Sequence, residues 1–277
     1  MSGKLDGKVA LITGAGRGIG RATALKLAAE GARIVANDLD TGPAEEVVAQ
    51  IKAAGGQAVA CVGSVTAPAF AENFIGIALE QFHGLDILVN NAGYTWDNVI
   101  QKMTDEQWQA IIDCHLTAPF RILRAAQPVI KSLLAADREA GRRVVRKVVN
   151  VSSVTGLFGN AGQVNYSAGK AGIIGMTMTL AKEWGRLQTT VNCVAFGFIE
   201  TRLTVAGSDE GAVANIEGRE IKVGVNREIK QTMESIIPLG RVGTPEDAAG
   251  AIYLFCQPES DYVSGQTLMC SGGITGI

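Results

Sequence analysis

The chain lacks the residue patterns of disulfide-rich and metal-dependent proteins. Its five cysteines form no Cys-x-x-Cys pair, so neither a disulfide framework nor a structural zinc site is indicated. The two histidines, His83 and His115, lie far apart and have no carboxylate or cysteine partners at ligand spacing. We therefore expect no metal.

Long hydrophobic runs and blocks of one charge are also missing. No stretch approaches the ~18 consecutive apolar residues of a membrane span, and Met1 to Gly7 contains no apolar signal core. The net charge is −2, from 25 Lys and Arg against 27 Asp and Glu. The local basic cluster is interpreted as a solvated turn before a strand; its residues are Arg142, Arg143, Arg146 and Lys147. The sequence predicts a cytoplasmic protein with neither a membrane nor a nucleic-acid partner.

Short apolar runs alternate with helix-length segments along the whole chain. Continuous apolar runs at this spacing indicate strands buried on both faces of a parallel sheet. The seven runs are Val9–Thr13, Ile34–Asn37, Ala58–Val62, Leu85–Asn90, Val148–Ser152, Val191–Ala195 and Gln266–Cys270. No repeat or linker divides the chain, so residues 1–277 are predicted to form one α/β domain, a doubly wound seven-stranded parallel sheet with helices on both faces.

Local signals mark the ends of several helices, and one long segment interrupts the alternation of apolar runs and helix-length segments. Thr244-Pro245-Glu246-Asp247 predicts a helix start, and Gly31 and Gly55-Gly56 predict helix ends. Residues 202–234 form a long stretch without clear strand character. Long irregular segments are often binding loops, so we predict a substrate-binding loop or lid there, with a surface insertion as the alternative.

A glycine-rich turn follows the first apolar run. Its spacing is Gly14-x-x-x-Gly18-x-Gly20, which departs from the common G-x-G-x-x-G. Glycines between a strand and a helix let a pyrophosphate approach backbone amides at the helix N-terminus. We predict dinucleotide binding here, with Arg17 and Ile19 beside the glycines; the alternative is an ordinary turn.

Asp38 and Arg17 give opposite indications about the dinucleotide. Asp38 ends the second run, where a carboxylate can accept hydrogen bonds from the adenosine ribose and would repel a 2′-phosphate. Arg17 could instead pair with that phosphate, or turn to solvent. The sequence favours NAD and leaves NADP possible, while Asp38 could also be an ordinary strand-end residue.

Tyr166 and Lys170 stand four residues apart in a helix-like segment. At this spacing both side chains lie on one helix face, so an ammonium could stabilise the ionised phenol and lower its pKa. The pair is a candidate acid/base; a solvated helix face is the alternative.

Together these motifs resemble those of the short-chain dehydrogenase/reductase family over nearly the whole chain. Thr13-Gly14-x-x-x-Gly18-Ile19-Gly20, Asn90-Asn91-Ala92-Gly93, Ser153 and Tyr166-x-x-x-Lys170 occur in the family's order. The resemblance implies a single-domain Rossmann fold. It also implies metal-free hydride transfer between a nicotinamide and a carbonyl or secondary alcohol.

The resemblance also implies roles for individual residues. Tyr166 would exchange the proton, Lys170 would lower its pKa and bond the nicotinamide ribose, and Ser153 would hold the substrate oxygen. Ser152 is disfavoured because strand alternation points it to the other face. Asn91, Ala92 and Gly93 would line the cofactor side.

The chain departs from the family pattern at His115. Many relatives carry a catalytic asparagine here, and an imidazole could relay protons through water but could change charge near neutral pH. We treat His115 as a provisional relay residue. A buried histidine with no role in the reaction is the alternative.

Other departures concern the two ends of the cofactor. Ala195-Phe196-Gly197 replaces the family's Pro-Gly turn beside the nicotinamide, and Ile199 and Thr201 match positions that contact its carboxamide. Gly63-Ser64-Val65 stands where many relatives have an Asp-Val pair near adenine. Because Ser64 is uncharged, it would bond the adenine amino group more weakly than a carboxylate.

Within the family, the 3-oxoacyl-thioester reductase branch is most similar. Gly159–Tyr166 and Ile237–Pro245 carry that likeness. The predicted substrate is a small carbonyl or alcohol compound, with an acyl thioester as one candidate. Steroid, sugar or small-alcohol substrates remain open, as does a non-catalytic dinucleotide-binding subunit of a hetero-oligomer. Family members are usually tetramers, so a homotetramer is expected.

Overall fold

A computed structural model describes residues 3–201, 212–224 and 227–274. Within these ranges, seven strands form one parallel sheet in the order β3-β2-β1-β4-β5-β6-β9, and two more form a hairpin. The strands are β1 (Val9–Ile12), β2 (Arg33–Asp38), β3 (Ala58–Val62), β4 (Ile87–Asn90), β5 (Arg146–Ser153), β6 (Thr189–Phe196), β7 (Ala212–Ile216), β8 (Arg219–Val223) and β9 (Thr267–Cys270).

Helices connect the strands of the sheet. They are α1 (Gly18–Ala29), α2 (Thr41–Ala53), α3 (Phe70–Phe82), α4 (Asp105–Ile112), α5 (Ala118–Glu139), α6 (Val154–Phe158), α7 (Val164–Trp184), α8 (Arg227–Ile236) and α9 (Pro245–Cys256). A π-helical turn, Asp113–Thr117, joins α4 to α5.

Side chains alternate between the two faces of the sheet, and helices cover both. Ala10 and Ile12 of β1 pack in the cluster that includes residues of α1, α2 and α9. Val9 and Leu11 of the same strand pack in the opposite cluster, with α3, α5 and α7. Burial on both faces explains why the strands read as continuous apolar runs. The predicted doubly wound parallel sheet is confirmed.

The predicted helix boundaries are also confirmed. Thr244 accepts a hydrogen bond from the Asp247 amide at 3.1 Å, and the Asp247 carboxylate accepts one from the Thr244 amide, so α9 begins with a capping box. Gly31, with a φ of +95°, follows the end of α1.

The prediction of no strand character within residues 202–234 is wrong. β7 and β8 pair antiparallel from Ala212↔Val223 to Ile216↔Arg219, and α8 follows them. Residues 202–211 and 225–226 lie outside the described residues. The hairpin buries Ala214, Ile216 and Ile221 against the body of the domain, which explains its stability.

Two residues of the basic cluster are not in a solvated turn. Arg146 and Lys147 begin β5 and are buried. Arg146 pairs with Asp137 at 2.8 Å, and Lys147 pairs with Asp261 at 2.7 Å. Buried cations require such partners, so these residues are structural.

Within the described ranges, no helix is long and apolar enough to cross a membrane. The same ranges contain no group of three or more His, Cys, Asp or Glu side chains arranged to hold a metal ion.

Candidate active site

A cleft of about 1320 Å³ opens at the carboxyl edge of the sheet. It is lined by the segments that follow β1 to β6 and by the β7–β8 hairpin. The strand order reverses between β1 and β4, and such switch points are where open α/β sheets bind ligands. The predicted site residues that line the cleft are Gly14, Arg17, Gly18, Ile19, Asp38, Ser64, Val65, Asn91, Ala92, Gly93, His115, Ser153, Tyr166, Lys170, Gly197, Ile199 and Thr201.

The glycines of the turn between β1 and α1 are required by backbone conformation or by close packing. Gly14 and Gly18 have φ values of +63° and +51°, which favour glycine. A Cβ at Gly20 would lie 2.0 Å from the Gly14 carbonyl oxygen. The first turn of α1 contains no acidic residue, so its free amides form a site suited to an anion.

Asp38 organises this turn from the end of β2. Its carboxylate accepts hydrogen bonds from the Gly16 amide and the Asp40 amide, both at 3.1 Å. Arg17 pairs with Asp40 at 2.7 Å and with Asp38 at 3.4 Å instead of turning freely to solvent. The sequence predicted no separate role for Gly16. A Cβ there would lie 2.7 Å from the Asp38 carboxylate, so the signal was the unassigned glycine inside the turn.

Asn91 and Ala92 hold the glycine turn from the side of β4. The Asn91 side chain donates to the carbonyl oxygens of Thr13 and Gly14 at 2.9 and 3.2 Å. The Asn91 and Ala92 amides donate to the Thr13 hydroxyl, each at 3.0 Å. Asn37 accepts from the Gly14 amide at 3.3 Å. Thr13 and Asn37 were therefore missed as residues that shape the cofactor side.

His115 lies in the π-helical turn, a conformation found frequently at functional sites. Its Nε2 donates to the Tyr94 carbonyl oxygen at 2.7 Å, and its Nδ1 is buried without a partner among the described residues. The ring meets the Tyr166 ring edge-on, with centroids 5.0 Å apart. Burial, and next the Lys170 charge, hold the pKa of His115 well below its usual value. The expectation of a charge change near neutral pH is therefore wrong.

Gly93 gives His115 the space that it occupies. A Cβ at Gly93 would lie 2.2 Å from His115 Cε1, closer than any van der Waals contact. The glycine is thus required by the imidazole ring as well as by any cofactor that approaches it.

Tyr166, Lys170 and Ser153 come together in the middle of the cleft. The Ser153 hydroxyl lies close enough to the Tyr166 phenol to lower its pKa, and it also accepts a hydrogen bond from the Thr155 amide at 3.1 Å. Lys170 Nζ lies 5.6 Å from the Tyr166 ring centroid and donates to the Val151 carbonyl oxygen at 2.8 Å. Ser152 points to the other face, where its hydroxyl donates to the Lys170 carbonyl oxygen at 2.7 Å.

The pKa of Tyr166 moves opposite to the direction predicted from the sequence. Burial raises it to about 12, although the hydrogen bond from Ser153 opposes the change. Burial lowers the pKa of Lys170 to about 8. Both shifts have the same cause, since removal from water disfavours each charged form. The ammonium lies over the Tyr166 ring and directs its hydrogen bond to Val151.

Gly197, Ile199 and Thr201 border the opposite side of the cleft. A Cβ at Gly197 would lie 2.9 Å from Ser271 Cα, so close packing requires this glycine. Ile199 is buried and forms a parallel bridge with Gly243. A Cβ at Gly18 would touch Thr201 Cγ2 at 3.4 Å, which brings Thr201 beside the glycine turn.

The family model for short chain dehydrogenases matches residues 8–211. The chain is 41% identical over 272 residues to a 3-oxoacyl-(acyl-carrier-protein) reductase of Synechocystis sp., covering 98% of each chain. It is 38% identical over 270 residues to such a reductase of Vibrio cholerae, again covering 98% of each. The enzyme of that name from Thermotoga maritima is 36% identical over 271 residues, 98% of this chain and 99% of the relative.

The chain therefore belongs to the short chain dehydrogenase family. The chain is thus an oxidoreductase that uses a nicotinamide dinucleotide and interconverts alcohol and keto groups. The glycine turn, the free amides of α1 and the Asp38 carboxylate fit the pyrophosphate and ribose of such a cofactor.

Proposed function

We propose that this protein interconverts a 3-oxoacyl thioester and the corresponding 3-hydroxyacyl thioester. The observation that carries the proposal is the full-length similarity to three reductases of 3-oxoacyl-(acyl-carrier-protein). The grouping of Ser153, Tyr166 and Lys170 in one cleft supports it, because a carbonyl reduction needs a proton donor and a group that holds the oxygen.

Tyr166 and Ser153 would act on the substrate oxygen. When bound, the nicotinamide supplies or accepts the hydride at the substrate carbon. The Ser153 hydroxyl would hold the carbonyl oxygen, and the Tyr166 phenol would donate its proton to the developing alkoxide. The phenol holds its proton at neutral pH, as an acid must before it donates, but the raised pKa makes it a weaker acid than an exposed tyrosine.

Lys170 and His115 would act behind the phenol. We assign Lys170 to the nicotinamide ribose and to stabilisation of the phenolate that remains after proton transfer, because its amine lies on the Tyr166 side of α7. His115 is the proposed relay residue. Its Nδ1, which has no partner in the part of the chain that the structure describes, and its contact with the Tyr166 ring support this role.

NAD is the dinucleotide that we propose. The Asp38 carboxylate is fixed by the Gly16 amide at the predicted ribose position, and Arg17 is already paired with Asp40. A 2′-phosphate would face that carboxylate, which is unfavourable. Titration with NADH and NADPH tests this proposal. We expect NADH to bind at least tenfold more tightly, and Asp38→Ser to reduce the preference; equal affinities would contradict it.

The hairpin side of the cleft is the proposed substrate lid. Its described part packs on Tyr94, Ile111 and Cys114, with Tyr166 against the same cluster. It therefore adjoins the proposed catalytic hydroxyls, where it could contact an acyl chain.

A homotetramer in the cytoplasm is proposed on separate grounds. Trp108 on α4, Phe120 on α5 and Met178 on α7 are exposed apolar side chains that subunit contacts would cover. Sedimentation equilibrium tests the assembly state, and cell fractionation tests the location.

A substrate panel decides between the proposed activity and its alternatives. Oxidation of the reduced nicotinamide would be followed by absorbance with an acetoacetyl thioester, a steroid ketone, a keto sugar and a small ketone. We expect the thioester to have the highest kcat/KM. A higher value for another ketone would replace the substrate class, and tight dinucleotide binding without turnover of any ketone would contradict the enzyme proposal.

A further inference from the structure

The tip of the β7–β8 hairpin contains a residue that its turn does not favour. Glu217 and Gly218 join the strands with φ values of 53° and 80°, the signs of a type I′ turn. Asn, Asp and Gly are preferred at such positions, and the glycine at Gly218 fits this rule. Glutamate at the first position costs conformational energy, so local geometry does not explain Glu217.

Glu217 reaches across the cleft to the segment that follows β3. Its carboxylate accepts hydrogen bonds from the Ser64 hydroxyl and, at 3.0 Å, from the Thr66 hydroxyl. The Ser64 and Thr66 hydroxyl oxygens lie 2.7 Å apart, so both are directed at the same carboxylate. On the hairpin side, Arg219 pairs with Glu217 at 3.1 Å and with Glu106 at 2.9 Å. The carboxylate is thereby fixed on the wall of the cleft.

The position of this wall follows from the order of the strands. In this fold the pyrophosphate lies on the turn after β1, and the adenosine ribose lies at the acidic end of β2. β3 is the next strand outward, so the adenine of a bound dinucleotide would lie over the segment that begins with Gly63 and Ser64. Glu217 lines the same cleft as Asp38, Gly63 and Ser64.

We propose that Glu217 recognises the adenine base, by accepting a hydrogen bond from its exocyclic amino group. Many family members carry an aspartate at the position of Ser64, and this chain carries an uncharged hydroxyl there. The hairpin places the Glu217 carboxylate beside Ser64 instead, although Glu217 lies 153 positions later in the chain. Ser64 and Thr66 then orient the carboxylate.

The inference rests on dinucleotide binding and not on the thioester substrate, so it is tested by binding alone. Adenine presents an amino donor, whereas hypoxanthine presents a carbonyl oxygen at the same position and would face the carboxylate unfavourably. The probes are NAD and nicotinamide hypoxanthine dinucleotide. Their dissociation constants would be measured by calorimetry without substrate, so a wrong substrate assignment would leave the result unchanged.

The wild-type protein should bind the adenine form about tenfold or more tightly, the size expected for one charge-assisted hydrogen bond. Glu217→Gln should reduce that ratio to about threefold or less, because an amide can serve either base. Glu106→Gln is the matched control. It loosens the Arg219 anchor of the hairpin but keeps the Glu217 carboxylate, so the ratio should remain as in the wild type.

A double variant that carries the carboxylate at position 64, just after β3, tests for rescue. Ser64→Asp combined with Glu217→Gln should restore the preference for adenine to at least half of the wild-type ratio. The proposal is overturned if the wild type does not distinguish the two bases, if Glu217→Gln keeps the full preference, or if Glu106→Gln reduces it equally. Failure of the rescue in a protein that binds both dinucleotides would also overturn it.

Discussion

At the scale of single residues, burial decides how Tyr166 can act. Its pKa of about 12 keeps the phenol protonated at neutral pH, while burial lowers that of Lys170 to about 8. The neutral His115 ring packs against the same phenol. A protonated phenol beside Ser153 can give its proton to a carbonyl that accepts hydride.

Tyr166→Phe removes the hydroxyl and keeps the ring that packs on His115. We expect kcat to fall by about 10² to 10⁴, the usual contribution of a positioned acid or base, with the dinucleotide Kd changed less than about threefold. Steady-state kinetics and calorimetry measure the two quantities. Tyr262→Phe is the control, since Tyr262 is fully exposed at 103% and should leave kcat unchanged. A Tyr166→Phe enzyme with more than a tenth of normal kcat would contradict the assignment.

Gly93→Ala tests the contact between Gly93 and His115. The added Cβ would meet His115 Cε1 at 2.2 Å, so the ring or the loop must shift, at a cost of about 1–3 kcal/mol in the free energy of unfolding. Gly42→Ala is the matched control in α2, where a Cβ meets nothing within 4 Å. It should be neutral or stabilise by up to about 1 kcal/mol. Urea denaturation of both variants checks the result; equal stabilities would show that the ring does not occupy this space.

At the scale of secondary structure elements, the β7–β8 hairpin forms part of the wall of the cleft. One face packs on the body of the domain, whereas Val213 is exposed at 59%. Its tip bonds to the segment after β3. The hairpin thus spans the cleft from the proposed substrate side to the adenine side.

Ile221→Ala should loosen this hairpin. Ile221 is 1% exposed, and its truncation removes packing worth roughly 2–5 kcal/mol locally. We expect faster proteolytic cleavage within the hairpin and a several-fold rise in the KM of the ketone substrate. Val213→Ala on the same hairpin should change neither quantity by more than about twofold. If Ile221→Ala leaves the rate of proteolytic cleavage and the KM unchanged, the buried face of the hairpin does not stabilise the proposed lid.

The inner strands of the sheet were predictable because their apolar runs are buried on both faces, and the helix that begins at Pro245 was predictable from its capping box. The edge strands β3 and β9 are only partly buried. The hairpin was missed although a signal existed. Arg219-Glu220-Ile221-Lys222-Val223 alternates polar and apolar residues, and Gly218 precedes it. The turn lacked the Asn-Gly or Asp-Gly pair that marks most hairpins.

At the scale of the whole molecule, buried thiols make the free energy of unfolding depend on pH in the alkaline range. Burial raises the pKa of Cys61 and Cys193 to about 11, and that of Cys114 and Cys256 to about 12, from an ordinary value of 9.0. Above pH 9 the unfolded chain loses protons that the folded chain keeps. Their contribution is fully present below pH 9 and is lost as the pH rises toward 11 and 12.

We therefore expect the free energy of unfolding to fall between pH 9 and 11. Lys170 acts in the opposite direction from pH 8 to 10.5, because its pKa is lowered in the folded state, but four thiols outweigh one amine. Urea denaturation at constant ionic strength, at pH 8, 9, 10 and 11, measures the change. Cys114→Ala should make the slope shallower. Stability that is constant or rising from pH 9 to 11 would refute the expectation.

The sequence by itself determined the sheet, the glycine turn and the helical spacing of Tyr166 and Lys170, because hydrophobic periodicity and turn chemistry act over a few neighbouring residues. Only the tertiary structure decided the charge states and partners at the site. Burial raises the pKa of Tyr166. Arg17 forms an ion pair with Asp40, and the Glu217 carboxylate accepts a hydrogen bond from Ser64. Desolvation and contacts between distant segments arise only when the chain has folded, so no local pattern carries them.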